Sequence, residues 1–325
     1  MRALVHHDFG DPARVLTVEE RPLPAPGPGQ VRVRTLLSPI HNHDLWTVRG
    51  TYGFKPKLPA PAGTEALGFV DALGSGVDRL DVGQRVVTGG TFGVWAEYFV
   101  ADAASLIPVP EALLDESAAQ LVSMPFSAIS LLHSIDLHEG DWLIQNAANG
   151  AVGRMVAQLG AARGINVVGL VRRAAGVDEL RAQGIERVIA TDSDAWRDQL
   201  KALTGGAHIR VGVDSVGGAS AGDVMSVLAA NGTLVVFGAM ASPTLEIASS
   251  DVIFKQATVK GFWGSVVSRE MPADVKAKLF GELIGRVIDG SLTLPVSAVY
   301  ELSEIEAAVA ASGGSGRVGK VLLRA

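Results

Sequence analysis

Asn146-Ala147-Ala148-Asn149-Gly150-Ala151-Val152-Gly153 follows an apolar run at 142–144 and leads directly into Arg154-Met155-Val156-Ala157-Gln158-Leu159. A strand, a glycine turn and a helix in that order make a seat for a dinucleotide pyrophosphate. Read as Ala148-x-Gly150-x-x-Gly153, the turn keeps two of the three glycine positions of the dinucleotide fingerprint. Gly150 lets backbone N–H groups approach the phosphates, and Gly153 lets the helix pack closely on its strand, with the positive helix end facing the anion. The candidate contacts are Asn149, Gly150, Ala151, Val152 and Gly153.

Gly164 stops that helix, and Ile165-Asn166-Val167-Val168-Gly169-Leu170-Val171 supplies a second buried strand, closing a βαβ unit of about the usual 30 residues. At its end, where a carboxylate would bind the ribose 2′-OH of NAD, the chain reads Arg172-Arg173. A carboxylate repels a 2′-phosphate, whereas guanidinium groups bind it through charge-assisted hydrogen bonds. The expected cofactor is therefore NADP(H).

Composition narrows the remaining classes. With 325 residues, 48% hydrophobic, and 38 glycines, the chain is long enough for two cores. No stretch approaches a membrane span and no apolar leader follows Met1, so the chain reads as a cytoplasmic protein without a membrane partner. A net charge of −6 without a long basic run argues against nucleic acid. The lack of cysteine excludes disulfides and thiolate metal sites.

The first third alternates between short apolar runs and turns, as at 30–36, 68–73, 85–88 and 95–100, a pattern expected of a small, partly open β-barrel. The proline-rich segment at 22–29 is a surface crossing. From 116 to 135 the periodicity becomes helical, with Pro125 as an expected kink. Six strands follow, near 142–145, 165–171, 186–190, 209–214, 232–237 and 257–262, alternating with helices as in a doubly wound sheet. An amphipathic helix is expected at 272–289. Ser303-x-x-Glu306 reads as a capping box for a last helix, and Gly316-Arg317-Val318-Gly319-Lys320-Val321-Leu322-Leu323 as a terminal strand returning to the first domain.

The barrel-like front, the glycine turn near 150 and the closing Gly319-Lys320-Val321 resemble the medium-chain dehydrogenase/reductase superfamily over essentially the whole chain. Ser38-Pro39-Ile40 with Asp44, Gly50-Thr51-Tyr52-Gly53, Phe254-Lys255 and Gly261-Phe262-Trp263 are similar to the zinc-free mitochondrial-type 2-enoyl thioester reductases. Gly63-Thr64-Glu65-Ala66 resembles the NADPH quinone oxidoreductases instead. The resemblance implies an α/β chain with a GroES-like, partly open β-barrel catalytic domain at 1–117, a doubly wound Rossmann domain at 118–265, and a return to the catalytic domain at 266–325. It also implies NADPH in the interdomain cleft, bordered by Val216, Gly238, Ala239 and Met240, and a homodimer built along the strand at 258–262. One position departs: both branches usually carry Asn where this chain has His41.

His41 also falls where zinc-dependent members place a cysteine ligand, but Thr64 replaces their second ligand and no spacing supplies three converging donors, so no metal is expected. Without a Lewis acid, hydride delivery suits a conjugated C=C, because the charge that develops is spread over an enolate. The expected substrate is a 2-enoyl thioester, an enone or a quinone. A nucleotide-binding protein of this fold without turnover is the remaining alternative. Tyr52 is the first candidate proton donor, with His41 or water as alternatives, while Asn42 and His41 are candidates to orient substrate or nicotinamide. His6, His7, His43, His133 and His138 read as surface or satisfied polar residues.

Overall fold

The computed structural model describes residues 1–314 and 317–325 of the chain, which forms two compact units. Met1–Ser123 and Thr293–Ala325 make the first, and Met124–Leu292 the second.

In the first unit β1 (Arg2–His6) pairs antiparallel with β2 (Leu16–Glu20), beyond the short helix α1 (Pro12–Val15). Strand β3 (Gln30–Pro39) is the axis of the larger sheet, and its burial alternates along its first half as the sequence does. Helix α2 (Asn42–Arg49) follows it directly, before β4 (Ala60–Pro61), which pairs with β1. Strand β5 (Glu65–Leu73) lies on one side of β3, with β6 (Arg85–Gly89) beyond it. Strand β7 (Tyr98–Asp102) pairs with β3, and β8 (Ile107–Pro108) with β6. Leu4, Val31, Val33, Ile40, Trp95 and Phe99 are among the core residues they enclose. A Cβ on Gly63, which has φ +87°, would fall 2.3 Å from the Trp95 indole, so only glycine lets the chain pass beneath that ring into β5.

Pro125 is not a kink. The expected single helix is two, α3 (Asp115–Ala118) and α4 (Met124–Ser134), and Pro125 is the second residue of α4, where its missing N–H costs nothing.

The second unit carries β9 (Trp142–Gln145), α5 (Ala151–Ala162), β10 (Asn166–Val171), α6 (Ala174–Arg181) and β11 (Val188–Ala190). It continues through α7 (Trp196–Thr204), β12 (Ile209–Asp214), α8 (Gly218–Ser226), β13 (Thr233–Val236), α9 (Ser249–Lys255) and β14 (Thr258–Gly261). All six strands are parallel, in the order β11-β10-β9-β12-β13-β14. The chain leaves β9 in one direction, then returns and continues from β12 in the other. The carboxyl ends of those two strands are thus the switch point where doubly wound sheets take ligands.

Helices α10 (Gly264–Glu270) and α11 (Ala273–Ile288) complete this unit, so residues 266–292 do not join the first, as the boundary at 266 implied. Phe280 of α11 stacks on Phe126 of α4 at 4.4 Å, which ties α11 to the second core. The chain rejoins the first unit through β15 (Val296–Glu301), α12 (Ile305–Gly313) and β16 (Lys320–Arg324), which pairs antiparallel with β3 as a returning terminal strand should. The capping box before α12 is Glu301 with Glu304, whose carboxylate accepts the Glu301 N–H at 2.9 Å, rather than Ser303 with Glu306. The expected terminal strand began at Gly316, which lies outside the described residues.

Candidate functional site

In the second unit the predicted nucleotide contacts occupy four loops at one end of the sheet. The turn after β9 leads into α5 at Gly150, whose N–H donates to the Ala147 carbonyl at 2.8 Å. A Cβ on Gly153 would lie 2.7 Å from the Ala147 oxygen and 2.8 Å from the Ala148 Cα, so the helix seats on the turn only with glycine there. The Gln145 amide donates to the Gly153 carbonyl at 2.7 Å and fixes the first turn of α5 to the end of β9. Asn149 and Gly150 are exposed, and Ala151 and Val152 half-buried. The first amides of α5 have no intrahelical acceptor, which makes this helix end receptive to a phosphate.

Sequence reasoning missed the residues that hold these loops together. Asp214, fully buried at the end of β12, accepts the Asn146 amide at 2.5 Å and the N–H groups of Val216 and Gly217 at 3.1 Å. Asn146 in turn accepts the Ser215 N–H at 2.7 Å. The Gly238 and Met240 N–H groups donate to the carbonyls of Asp214 and Ser215, lacing the loop after β13 to the loop after β12. Arg172 and Arg173 are both exposed after β10. An acid does reach the start of α6, but from the neighbouring strand: Asp192 accepts the Ala174 N–H at 3.3 Å.

The first unit holds a buried polar cluster around α2. His41 is the N-cap, and its N–H donates to the Asp44 carboxylate at 3.0 Å. Its ring is 0% exposed, with Nε2 2.5 Å from Glu65 Oε2, so it is not at the substrate-accessible surface expected of a donor. The other Glu65 oxygen accepts the Val122 and Ser123 N–H groups. Burial pushes the Glu65 carboxyl up to about 7, against the opposing pull of those amides. Burial also drives His41 well below its ordinary value, reinforced by the Lys320 charge. Lys320, buried at the start of β16, is itself lowered to about 8 by burial and then by Arg317.

His43, one turn position further on, is half-buried and stacks on His41 at 5.0 Å with 15° between the rings. Its Nε2 lies 2.8 Å from the Thr64 hydroxyl, which donates to Asp44 at 2.7 Å. The His43 ring is tilted 34° against Tyr52 at 5.9 Å. The structure therefore gathers Tyr52, His41 and Asp44 as one neighbourhood, with Asn42 exposed at its rim. The reading of His43 as a satisfied polar residue identified its bond to Thr64 in kind but not its place beside Tyr52. The available signal was the His-x-His spacing at the start of a helix.

This donor set does not fit a zinc ion. Thr64 and both Glu65 oxygens are committed to protein hydrogen bonds, His41 Nε2 faces Glu65, and the Lys320 ammonium shares the enclosure. A divalent cation needs three converging lone pairs and gains nothing beside a buried ammonium. The nucleotide seat, by contrast, fits a dinucleotide phosphate, since its cradle is closed to a Cβ at Gly153 and flanked by two exposed guanidinium groups.

Residues 151–279 match the family model described as zinc-binding dehydrogenase, and residues 27–111 that of the alcohol dehydrogenase GroES-like domain. The chain is similar to the human mitochondrial enoyl-[acyl-carrier-protein] reductase, with 34% identity over 319 residues, covering 96% of this chain and 85% of that one. Among solved structures, it resembles a candidate NADPH:quinone reductase from Bacillus thuringiensis at TM-score 0.91 and 27% identity, over 100% and 98% of the two chains. A mycobacterial protein complexed with NADPH matches at TM-score 0.88 and 26% identity, over 100% of both.

Proposed function

The chain belongs to the zinc-free medium-chain dehydrogenase/reductase superfamily, and from that premise we propose that it reduces the conjugated C=C of a 2-enoyl thioester or enone. It is an NADPH-dependent oxidoreductase of this superfamily. The observation that carries the finer reading is that His41 Nε2, Thr64 and Glu65 are engaged in protein hydrogen bonds beside the Lys320 ammonium, which leaves no converging ligand set for Lewis-acid polarisation of an isolated carbonyl. A conjugated acceptor needs only hydrogen bonds to its developing enolate and one proton.

NADPH, when bound, supplies the hydride. In this reading Gly150, Ala151, Val152 and Gly153, with Asn149, present backbone amides to the pyrophosphate, and Arg172 and Arg173 take the 2′-phosphate. Val216, Gly238, Ala239 and Met240 border the nucleotide, braced by Asp214. Tyr52 lends its phenolic O–H to the acceptor oxygen as charge develops there, and Asn42 orients the acceptor. His41, enclosed beneath His43, acts through its packing. The human relative named above is an enoyl-[acyl-carrier-protein] reductase by its name, which favours an enoyl acceptor over a quinone.

A homodimer through β14 belongs to the same proposal: this edge strand is exposed along all four residues, with Phe254 82% exposed just before it. No helix among the described residues is long and apolar enough to cross a membrane. A cytoplasmic setting is likewise part of the proposal, and the human relative is mitochondrial by name.

The test is NADPH consumption by the purified protein with crotonyl-CoA, a simple enone and a simple quinone. Turnover of the thioester or enone well above the quinone is expected. Quinone turnover alone would make it a quinone reductase, and nucleotide binding without turnover would remove the enzymatic assignment.

A further inference from the structure

Of the two histidines flanking Asn42, only His43 has access to solvent: its side chain is 22% exposed where that of His41 is 0%. The hydrogen bonds fix which of its nitrogens carries a proton. A carboxylate has none to give, so Thr64 must donate its O–H to Asp44 Oδ1 at 2.7 Å. The Thr64 oxygen then offers only lone pairs to His43 Nε2 at 2.8 Å, and Nε2 must be the N–H. This leaves Nδ1 bare in the neutral ring, with no partner among the described residues. Asp44 Oδ1 also lies 3.5 Å from Nε2. His41 stacks on the His43 ring, its own charge opposed by burial, and the Tyr52 ring lies tilted at 5.9 Å.

We infer that His43 is a catalytic acid of this protein: its Nδ1–H protonates the acceptor's α-carbon after hydride delivery, a role that rests on the reductase reading above. The Nδ1–H bond breaks and a C–H bond forms at the α-carbon, the enolate's negative charge and the ring's positive charge cancel, and His43 returns to the neutral Nε2–H form. A proton from solvent, to which the side chain is 22% exposed, then restores it. Tyr52 and His43 thereby divide the work, one stabilising charge on oxygen and the other supplying the proton to carbon. With a quinone acceptor the same proton would go to oxygen.

Two readouts test this together. Heteronuclear NMR of the imidazole nitrogens in the protein without substrate should show neutral His43 as the Nε2–H tautomer in wild type, and lose that preference in Thr64→Val. In turnover, His43→Ala should lower kcat by about 10²–10³-fold with little change in KM, and added imidazole should restore much of it. Tyr52→Phe should lose rate without imidazole rescue. An Nδ1–H tautomer in wild type, a His43→Ala enzyme with near-normal kcat, or a loss that imidazole leaves untouched would each overturn the role. If only a quinone is reduced, the substrate reading fails while the His43 test runs unchanged on that acceptor. If nothing is reduced, both fail.

Discussion

Arg172 and Arg173 stand exposed after β10, and neither forms an ion pair with a carboxylate among the described residues. In the proposed reading these two guanidinium groups, exposed and without an ion pair among the described residues, take the 2′-phosphate. Arg172→Ala should therefore weaken NADPH binding by roughly 1.5–3 kcal/mol while leaving NADH nearly unchanged. Calorimetric titration of both nucleotides decides it, and equal losses would make the arginine structural. At Glu65 the buried charge sets a pH dependence. Its carboxyl rises from 4.5 to about 7 on folding, so the folded protein holds that proton more tightly than the unfolded chain. The resulting stabilisation is complete below about pH 4.5 and is lost as pH rises through about 7. The unfolding free energy of wild type relative to Glu65→Gln should fall across that window. His41 contributes with the opposite sign, losing stability as pH drops below 6.5, but is present in both proteins. A difference independent of pH would mean that Glu65 is ionised throughout.

Helix α5 owes its seat to Gly153, and the prediction at this scale follows from contact distances. Gly153→Ala places a methyl group 2.7–2.8 Å from the backbone of Ala147 and Ala148. The turn must shift, at a cost of about 1–3 kcal/mol of stability. Denaturant unfolding should register that loss together with weaker NADPH binding, whereas an unchanged midpoint would show that the turn gives freely. The βαβ unit containing this helix was legible because its apolar period changes from strand to helix and back around two glycines. Pro125 was misread because periodicity runs through the break before α4 and does not reveal that a helix has restarted there. The cluster around α2 was less legible still. His43 and Thr64 are 21 residues apart, and Lys320 reaches the Ile40 carbonyl from 280 residues away. The pairing of β3 with β5 brings Thr64 to His43 and that of β16 with β3 brings Lys320 to Ile40, and no local pattern encodes either.

The division of the chain into two units shows the same limit on a larger scale. Strand alternation separated the two architectures correctly in kind, but the return point moved from 266 to Thr293 because α11 is held by Phe126, a contact between segments far apart in sequence. Assembly is predicted from the free edge. Val259 lies in the exposed strand β14, 40% exposed itself, so a charge there should block edge-to-edge pairing. Sedimentation should show a wild-type dimer and a Val259→Lys monomer; a monomeric wild type would remove the proposed interface. The claim on which the whole account turns is that a hydride from NADPH reaches the carbon remote from the carbonyl. Reducing crotonyl-CoA with NADPH deuterated at the transferable nicotinamide position, and locating the label in the product by NMR, tests it directly. Deuterium on the β-carbon of butyryl-CoA is the predicted result. Label at any other position, or no saturated thioester at all, would contradict the account.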